Sequence, residues 1–300
     1  MTLDRQSEIA EVTGFWHGLG LPGLIDLHVH FMPQNVLSKV WAYFDAGREA
    51  GRPWPVEYKL PEDERVSLLR AFGVRRFGAL SYPHKPGMAE WLNSWAGEFA
   101  ARTPDALHCA TFYPEEGAAW YVGNAIEDGA RLFKAHLQVG RYDPRDEELE
   151  PVWDMLAGTR TPVVVHCGSG PTPGAFTGVG PISEVLARHQ DLILIVAHLG
   201  APEYSAFLDL AARYPFVCLD TTMVFSDFMD RIAPFPAELV PRLAELGERI
   251  VLGTDFPNIP YRYGHQLEAL ARLGLGDDWL RGVCWENPAR LLGLDGGRVR

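Results

Sequence analysis

Short apolar runs alternate with amphipathic stretches along most of the chain. Eight of these runs have the length and composition of β-strands, at residues 23–30, 75–82, 106–113, 131–137, 161–167, 192–198, 216–220 and 249–255. Helical periodicity occupies the intervals between them, for example at residues 61–73, 146–158, 202–214 and 236–247. Several of these helical stretches begin with proline and acidic residues and end at glycine, as helices commonly do.

The regular alternation of strands and helices predicts a parallel sheet, because parallel strands need crossover connections. Eight strand–helix units, without a Rossmann-type glycine pattern after the first strand, favour an α/β fold closed into a (β/α)₈ TIM barrel. A doubly wound open sheet is the alternative. A length of 300 residues suits one barrel domain over residues 1–300. Residues 1–22 would be an N-terminal extension, and the insertion at 31–60 either caps the barrel mouth as a lid or covers its side.

The charge balance and the cysteines restrict the partners and the compartment. The formal net charge of -12 argues against nucleic acid or an anionic membrane surface as a partner. The first twenty residues lack the apolar core of a signal peptide, and no apolar run approaches the roughly 18 residues that span a bilayer. The four cysteines are scattered without a CxxC pair, which is typical of reduced thiols in a cytoplasmic protein.

Polar residues interrupt the first apolar run at every second position. Asp26, His28 and His30 are two residues apart, so strict alternation places them on one face of the strand. Ile25, Leu27 and Val29 would then face the helices, and the polar set would face the barrel axis. A carboxylate and two imidazoles are costly to bury unless they are paired or bind a metal.

Three later apolar runs also lead into a histidine or an aspartate. These residues are His166, His198 and Asp255. In a parallel barrel the carboxyl ends of all strands meet at one face, which is where barrel enzymes carry their active sites. Three imidazoles and a carboxylate can hold a divalent transition metal and leave a position open for water. The pattern therefore predicts one shared metal site at this face.

The same residues stand in ordered motifs that resemble a known family. The HVH after LIDL, then VVVHCGSGP, IVAHLG, GTDFP and ENPARLLGL, are similar to the amidohydrolase superfamily, and in particular to its amidohydrolase-related (amidohydrolase 2) branch. The resemblance implies metal ligands at His28, His30, His166 and Asp255. It places His198 at the sixth-strand position, which in relatives binds a second metal or works beside the first. Asp26 would be a hydrogen-bond partner of a ligand rather than a ligand.

The fourth strand carries two further polar residues, Lys134 and His136, that share a face. In binuclear members of the superfamily a lysine on this strand is carbamylated and bridges two metals. The alternative for Lys134 is a charged lysine paired inside the barrel with Asp26 or Asp220. His136 either lines the substrate pocket, binds the metal or packs.

The resembling branch contains both hydrolases and nonoxidative decarboxylases. We expect a metal-dependent hydrolase acting on a small amide, ester or lactone, with decarboxylation of a small aromatic or unsaturated carboxylate as the alternative. The cofactor would be a divalent ion, Zn²⁺ before Mn²⁺, that activates water for attack. Asp255 would take the proton from that water, and His198 would help to polarise the scissile carbonyl.

A carboxylate on the substrate would need a cationic partner near the barrel mouth. Arg262, in the segment after Asp255, is the first candidate, followed by Arg141 and Arg52. The expected partner is thus a small-molecule substrate. Barrels of this branch are often dimers, which leaves a homodimer open.

Overall fold

Short parallel strands form the centre of the molecule. The computed structural model describes residues 3–49 and 53–294. The strands are β1 (Leu24–His30), β2 (Val74–Leu80), β3 (Ala106–Leu107), β4 (Cys109–Thr111), β5 (Leu132–His136), β6 (Val163–His166), β7 (Leu194–Val196), β8 (Val217–Asp220) and β9 (Ile250–Val251). Strands β1 to β3 form one parallel ladder, and strands β4 to β9 form another. His108 separates β3 from β4, so these two short strands together make one of the eight barrel strands.

Backbone hydrogen bonds between the first strand and the residues after the last strand close the sheet into a barrel. The amide of Leu27 donates to the Leu252 carbonyl over 2.9 Å, and the amide of Asp255 donates to the His28 carbonyl over 2.8 Å. A further bond of 2.7 Å runs from the His30 amide to Phe256. The predicted (β/α)₈ barrel is therefore confirmed, and the predicted open sheet is wrong.

Helices surround this barrel. They are α1 (Leu3–Gly18), α2 (Gln34–Glu49), α3 (Glu62–Ala71), α4 (Ala89–Arg102), α5 (Ala118–Glu127), α6 (Leu137–Gly140), α7 (Glu150–Thr159), α8 (Val179–Arg188), α9 (Tyr204–Arg213), α10 (Val240–Glu245), α11 (Tyr263–Arg272), α12 (Asp277–Arg281) and α13 (Asn287–Leu291). The helices predicted from periodicity correspond to α3, α7, α9 and the shorter α10. None of the helices in the described ranges combines the length and apolar character needed to cross a bilayer.

A bulge in β1 changes the faces that strict alternation predicts. Asp26 pairs with Phe77 and Val29 with Ala79, so two residues of β1, Leu27 and His28, oppose the single Gly78 of β2 between these pairs. Asp26 consequently lies on the outer side with Phe77, whereas Ile25 and Leu27 belong to the apolar core inside the barrel. The prediction that Asp26 faces the barrel axis beside His28 and His30 is wrong.

The insertion after β1 packs on the segment that follows β9. The Trp41 indole of α2 donates to the side chain of Asn258 over 3.1 Å, and the Trp54 indole donates to the carbonyl of the same residue over 2.6 Å. The amide of Asn258 in turn donates to the Asp255 carbonyl over 2.8 Å. The insertion therefore lies at the face where the strands end, which favours the lid interpretation over a side cover.

Candidate metal centre

His28 is held on both ring nitrogens deep in the barrel. Its Nδ1 lies 2.8 Å from a carboxylate oxygen of Asp220, and its Nε2 lies 3.1 Å from the Lys134 ammonium. Because Asp220 can only accept, Nδ1 carries the proton and Nε2 keeps its lone pair. The second oxygen of Asp220 accepts from the backbone amides of His198 and Thr222, so this carboxylate joins three strand ends.

His30 stands between two hydrogen-bond acceptors. Its Nδ1 lies 3.1 Å from the Leu80 carbonyl, and its Nε2 lies 2.7 Å from the Asp255 carboxylate. A neutral imidazole has a single N–H and can satisfy only one of these acceptors. Positive charge at this contact, whether a second ring proton or a bound cation, would satisfy the remaining acceptor. This contact is the clearest sign that the pocket is shaped for a positive charge.

Backbone turns, rather than strand alternation, aim His198 and Asp255. Both have left-handed backbone conformations, with φ of 55° and 72°, and both lie beyond the last residue of their strand. The His198 Nδ1 lies 3.1 Å from the carbonyl of Thr222, which leaves Nε2 as the lone-pair nitrogen. The strained turns are consistent with a functional role.

Ligand atoms of His28, His198 and Asp255 lie within 4.8 Å of one another. This set differs from the ligands predicted from the resemblance, which included His166 and gave His198 a separate role. The Nε2 of His166 donates to the Gly170 carbonyl over 2.9 Å, and its ring stacks on His136 with centroids 4.1 Å apart. His166 therefore lines the wall next to the set, with its ring centre 4.7 Å from that of His198.

The electrostatics of the site favour a divalent cation. Burial lowers the pKa of His28 and His198 to about 4 and that of His166 to about 3, so these imidazoles are neutral at pH 7. Each ring keeps one lone pair, and that of His28 faces the Lys134 ammonium. Burial alone would raise the pKa of Asp220 and Asp255, but the imidazoles facing them hold both below the ordinary value. Two ionised carboxylates therefore face one ammonium, that of Lys134. Burial lowers the pKa of Lys134 to about 8.

The donor set passes a simple test of fit for a metal. Neutral imidazole nitrogens and a carboxylate oxygen are the ligands that Zn²⁺ and Mn²⁺ take in proteins. The N–H groups of His28, His30 and His198 point away from the set, toward a carboxylate and two carbonyls that fix the tautomers. The residues present therefore fit a divalent ion.

Lys134 does not contact the carboxylates proposed for it. Its ammonium contacts His28 instead, and through that ring it is linked to Asp220. Asp26 lies on the other side of β1, where it accepts from Thr254 and Tyr263 and from the backbone amide of His28. Pairing of Lys134 with Asp26 is wrong, while the hydrogen-bond role predicted for Asp26 matches its contacts.

The structure describes two of the three arginines proposed as substrate clamps. Arg262 is half-exposed and forms an ion pair with Asp4 of α1, so its assignment as a carboxylate clamp stays a prediction without structural support. Arg141 is an exposed residue at the end of α6. Arg52 lies outside the described residues.

A different arginine has the chemistry that a clamp needs. Arg65 of α3 is fully buried, and one of its guanidinium nitrogens has no hydrogen-bond partner. The guanidinium carbon lies 4.7 Å from the centre of the Phe31 ring and 5.9 Å from that of Trp41. Burial lowers the pKa of Arg65 to about 10, which still leaves it charged. Sequence patterns gave no sign of Arg65, because this residue follows three acidic residues in an amphipathic helix, where an arginine is normally exposed to solvent.

Comparison with known families supports the fold and the general class. The model of the amidohydrolase family, amidohydrolase 2, matches residues 25–294. The curated proteins give no significant match.

Solved structures share the barrel at low sequence identity. An uncharacterised TIM-barrel protein from Bordetella bronchiseptica has a TM-score of 0.73 and 18% identity, covering 92% of this chain and all of its own. A manganese-bound 5-carboxyvanillate decarboxylase from Novosphingobium aromaticivorans has a TM-score of 0.60 and 13% identity, over 90% and 97%. A probable 2-pyrone-4,6-dicarboxylic acid hydrolase from Acinetobacter baumannii, with citric acid bound, has a TM-score of 0.59 and 14% identity, over 90% and 99%. At these identities the likeness concerns the fold.

Proposed function

The chain belongs to the amidohydrolase family, and we propose that within this family it is a metal-dependent hydrolase of a small amide, ester or lactone. The observation that carries this proposal is the convergence of His28, His198 and Asp255 at the mouth of the barrel, with His30 against the same carboxylate. A divalent ion held there, Zn²⁺ or the Mn²⁺ that one structural neighbour contains, would supply Lewis acidity and ease deprotonation of water.

The chain's own residues would handle the protons. Asp255 is ionised, so it can accept a proton from the attacking water and return it to the leaving group. The role predicted for His198 as an electrophile does not suit its tautomer, because its N–H is directed to Thr222. His136 suits that role better, since its Nδ1 accepts from the Val139 amide and its Nε2 therefore carries the proton.

Decarboxylation is the second candidate, because a structural neighbour is a decarboxylase. Arg65, which packs on Phe31 next to His30 and has one nitrogen without a partner, would be the proposed partner for a substrate carboxylate. One experiment separates the two reactions. Metal-replete protein is assayed against a panel of lactones, amides and esters, and in parallel for release of carbon dioxide from aromatic carboxylates. Release of carbon dioxide with no hydrolysis of the panel would replace our proposal by the second candidate.

Removal of the metal should abolish either reaction. We expect dialysis against a chelator to reduce turnover to background and Zn²⁺ or Mn²⁺ to restore it, because the ion would supply the Lewis acidity on which the proposed reaction depends. The readouts are elemental analysis and turnover before and after reconstitution. Full turnover by protein that holds metal in fewer than roughly one site in ten would contradict metal dependence.

Arg65 provides a test of the charge of the substrate. Arg65→Met should lower the affinity for benzoate about tenfold and leave the affinity for neutral benzamide unchanged, because a buried, charge-assisted contact is worth about 1.5–3 kcal/mol. Binding is measured by calorimetry on metal-loaded protein. Arg102→Met is the matched control, since Arg102 also lies over aromatic rings, those of Trp95 and Phe99, but is half-exposed and paired with Glu62. An equal loss for benzoate and benzamide would exclude Arg65 as a carboxylate partner.

A further inference from the structure

The N-terminal helix α1 precedes the region that the family model matches, yet it carries a buried carboxylate. Glu8 is 1% exposed. One of its oxygens accepts the backbone amide of Tyr263 over 3.0 Å and also the hydroxyl of Tyr58, and the other accepts from Arg5 over 2.6 Å. A buried carboxylate with this many donors fixes the position of what it binds. The amide of Tyr263, the first residue of α11, also donates to the Tyr58 hydroxyl over 2.6 Å, so Glu8 and Tyr58 fix this residue together.

Tyr263 extends from this anchor to the barrel wall. Its ring stacks on Phe72 with centroids 5.0 Å apart, and its hydroxyl donates to Asp26 over 2.9 Å. Because Glu8 holds its backbone and Asp26 holds its hydroxyl, Tyr263 is fixed at both ends. It is also fully buried, so water cannot replace either contact.

Asp26 connects the two segments that carry the cluster. One of its oxygens accepts the backbone amide of His28 over 3.2 Å, and the other accepts the Thr254 hydroxyl over 2.6 Å. Thr254 immediately precedes Asp255. The carboxylate therefore ties the backbone at His28 to the backbone at Asp255 from the outer side of the barrel, opposite the cluster.

We propose that Glu8, Tyr263 and Asp26 form a brace that sets the separation of His28 and Asp255, so that helix α1 acts as a positioning element of the metal centre. This inference rests on the metal dependence proposed above. Ligating groups must be held within about 0.5 Å of their productive positions, and loss of an outer contact of a ligand typically weakens metal binding 10–100-fold. Tyr263 and Glu8 touch no ligand side chain, so they are positioning residues.

The test compares two buried tyrosines. Tyr263→Phe removes the hydroxyl that donates a hydrogen bond to Asp26. The control is Tyr204→Phe at the start of α9, which removes a hydroxyl that donates to the Ala233 carbonyl over 2.7 Å. Zinc affinity is measured on the full chain by competition with a chromogenic chelator, and urea unfolding is measured on the metal-free protein. We expect both variants to lose similar stability, and only Tyr263→Phe to bind zinc at least about tenfold more weakly.

A second pair of variants tests the helix itself. Glu8→Gln should weaken zinc binding in the same direction, whereas Glu11→Gln, which loses only a surface contact with Ser7 on the same helix, should not. Zinc affinity of Tyr263→Phe within twofold of the wild type overturns the brace while the proposed function stands. A wild-type chain that binds neither zinc nor manganese overturns both.

Discussion

Asp255→Asn should lower kcat/KM about a thousandfold while leaving a folded protein, because the amide cannot accept a proton as the carboxylate does. Asparagine is the informative replacement, since it tolerates the left-handed backbone of this residue, with φ of 72°. Alanine would add backbone strain and confuse loss of chemistry with loss of structure. Turnover, circular dichroism and bound metal are measured together.

The surface variant Asp227→Asn serves as the control. Asp227 also pairs with a cation, Arg272, but it is exposed, so its loss should leave turnover within about twofold, since such pairs contribute about 0–1 kcal/mol. Activity of Asp255→Asn close to that of the wild type would refute the assignment of Asp255 as the proton acceptor. Loss of activity together with complete loss of metal would assign Asp255 chiefly to binding the ion.

Asp220→Asn should affect both stability and metal binding. The carboxylate accepts from His28 on one oxygen and from the amides of His198 and Thr222 on the other. An amide side chain offers one oxygen only, so its NH₂ group must face a donor. We expect a loss of about 3–5 kcal/mol in the free energy of unfolding, as when one partner of a buried charged network is removed. Metal affinity should fall about 10–100-fold, because the tautomer of His28 is no longer fixed.

Urea unfolding of the metal-free protein and chelator competition measure these two effects separately. Asp209→Asn is the matched control, because Asp209 pairs with Arg242 on the surface and should contribute no more than about 1 kcal/mol. If Asp220→Asn unfolds at the wild-type urea concentration and binds zinc normally, the network around Asp220 does not organise the site.

Much of the architecture follows from local sequence patterns. The apolar runs predict the strand positions because residues buried on both sides of a parallel strand must be apolar. Their spacing predicts the crossover helices, and the order of the polar residues that end the runs places His28, His30, His198 and Asp255 at one face. Helix α1 is different. Its functional contacts are made by Glu8 with residues distant in the chain, so periodicity gave no indication of them.

The sequence by itself determined the barrel, the face that carries the site and the residues available to hold a metal. Only the tertiary structure decided which of them converge. The bulge in β1 turned Asp26 outward, and the turns at His198 and Asp255 aimed side chains that alternation could not orient. The tertiary structure also distinguished two arginines: Arg65 is buried with one nitrogen unpaired, whereas Arg262 is half-exposed and paired with Asp4. The physical reason is that alternation fixes a face only in regular backbone, whereas a bulge, a left-handed turn or a distant partner is set by the packing of the whole barrel.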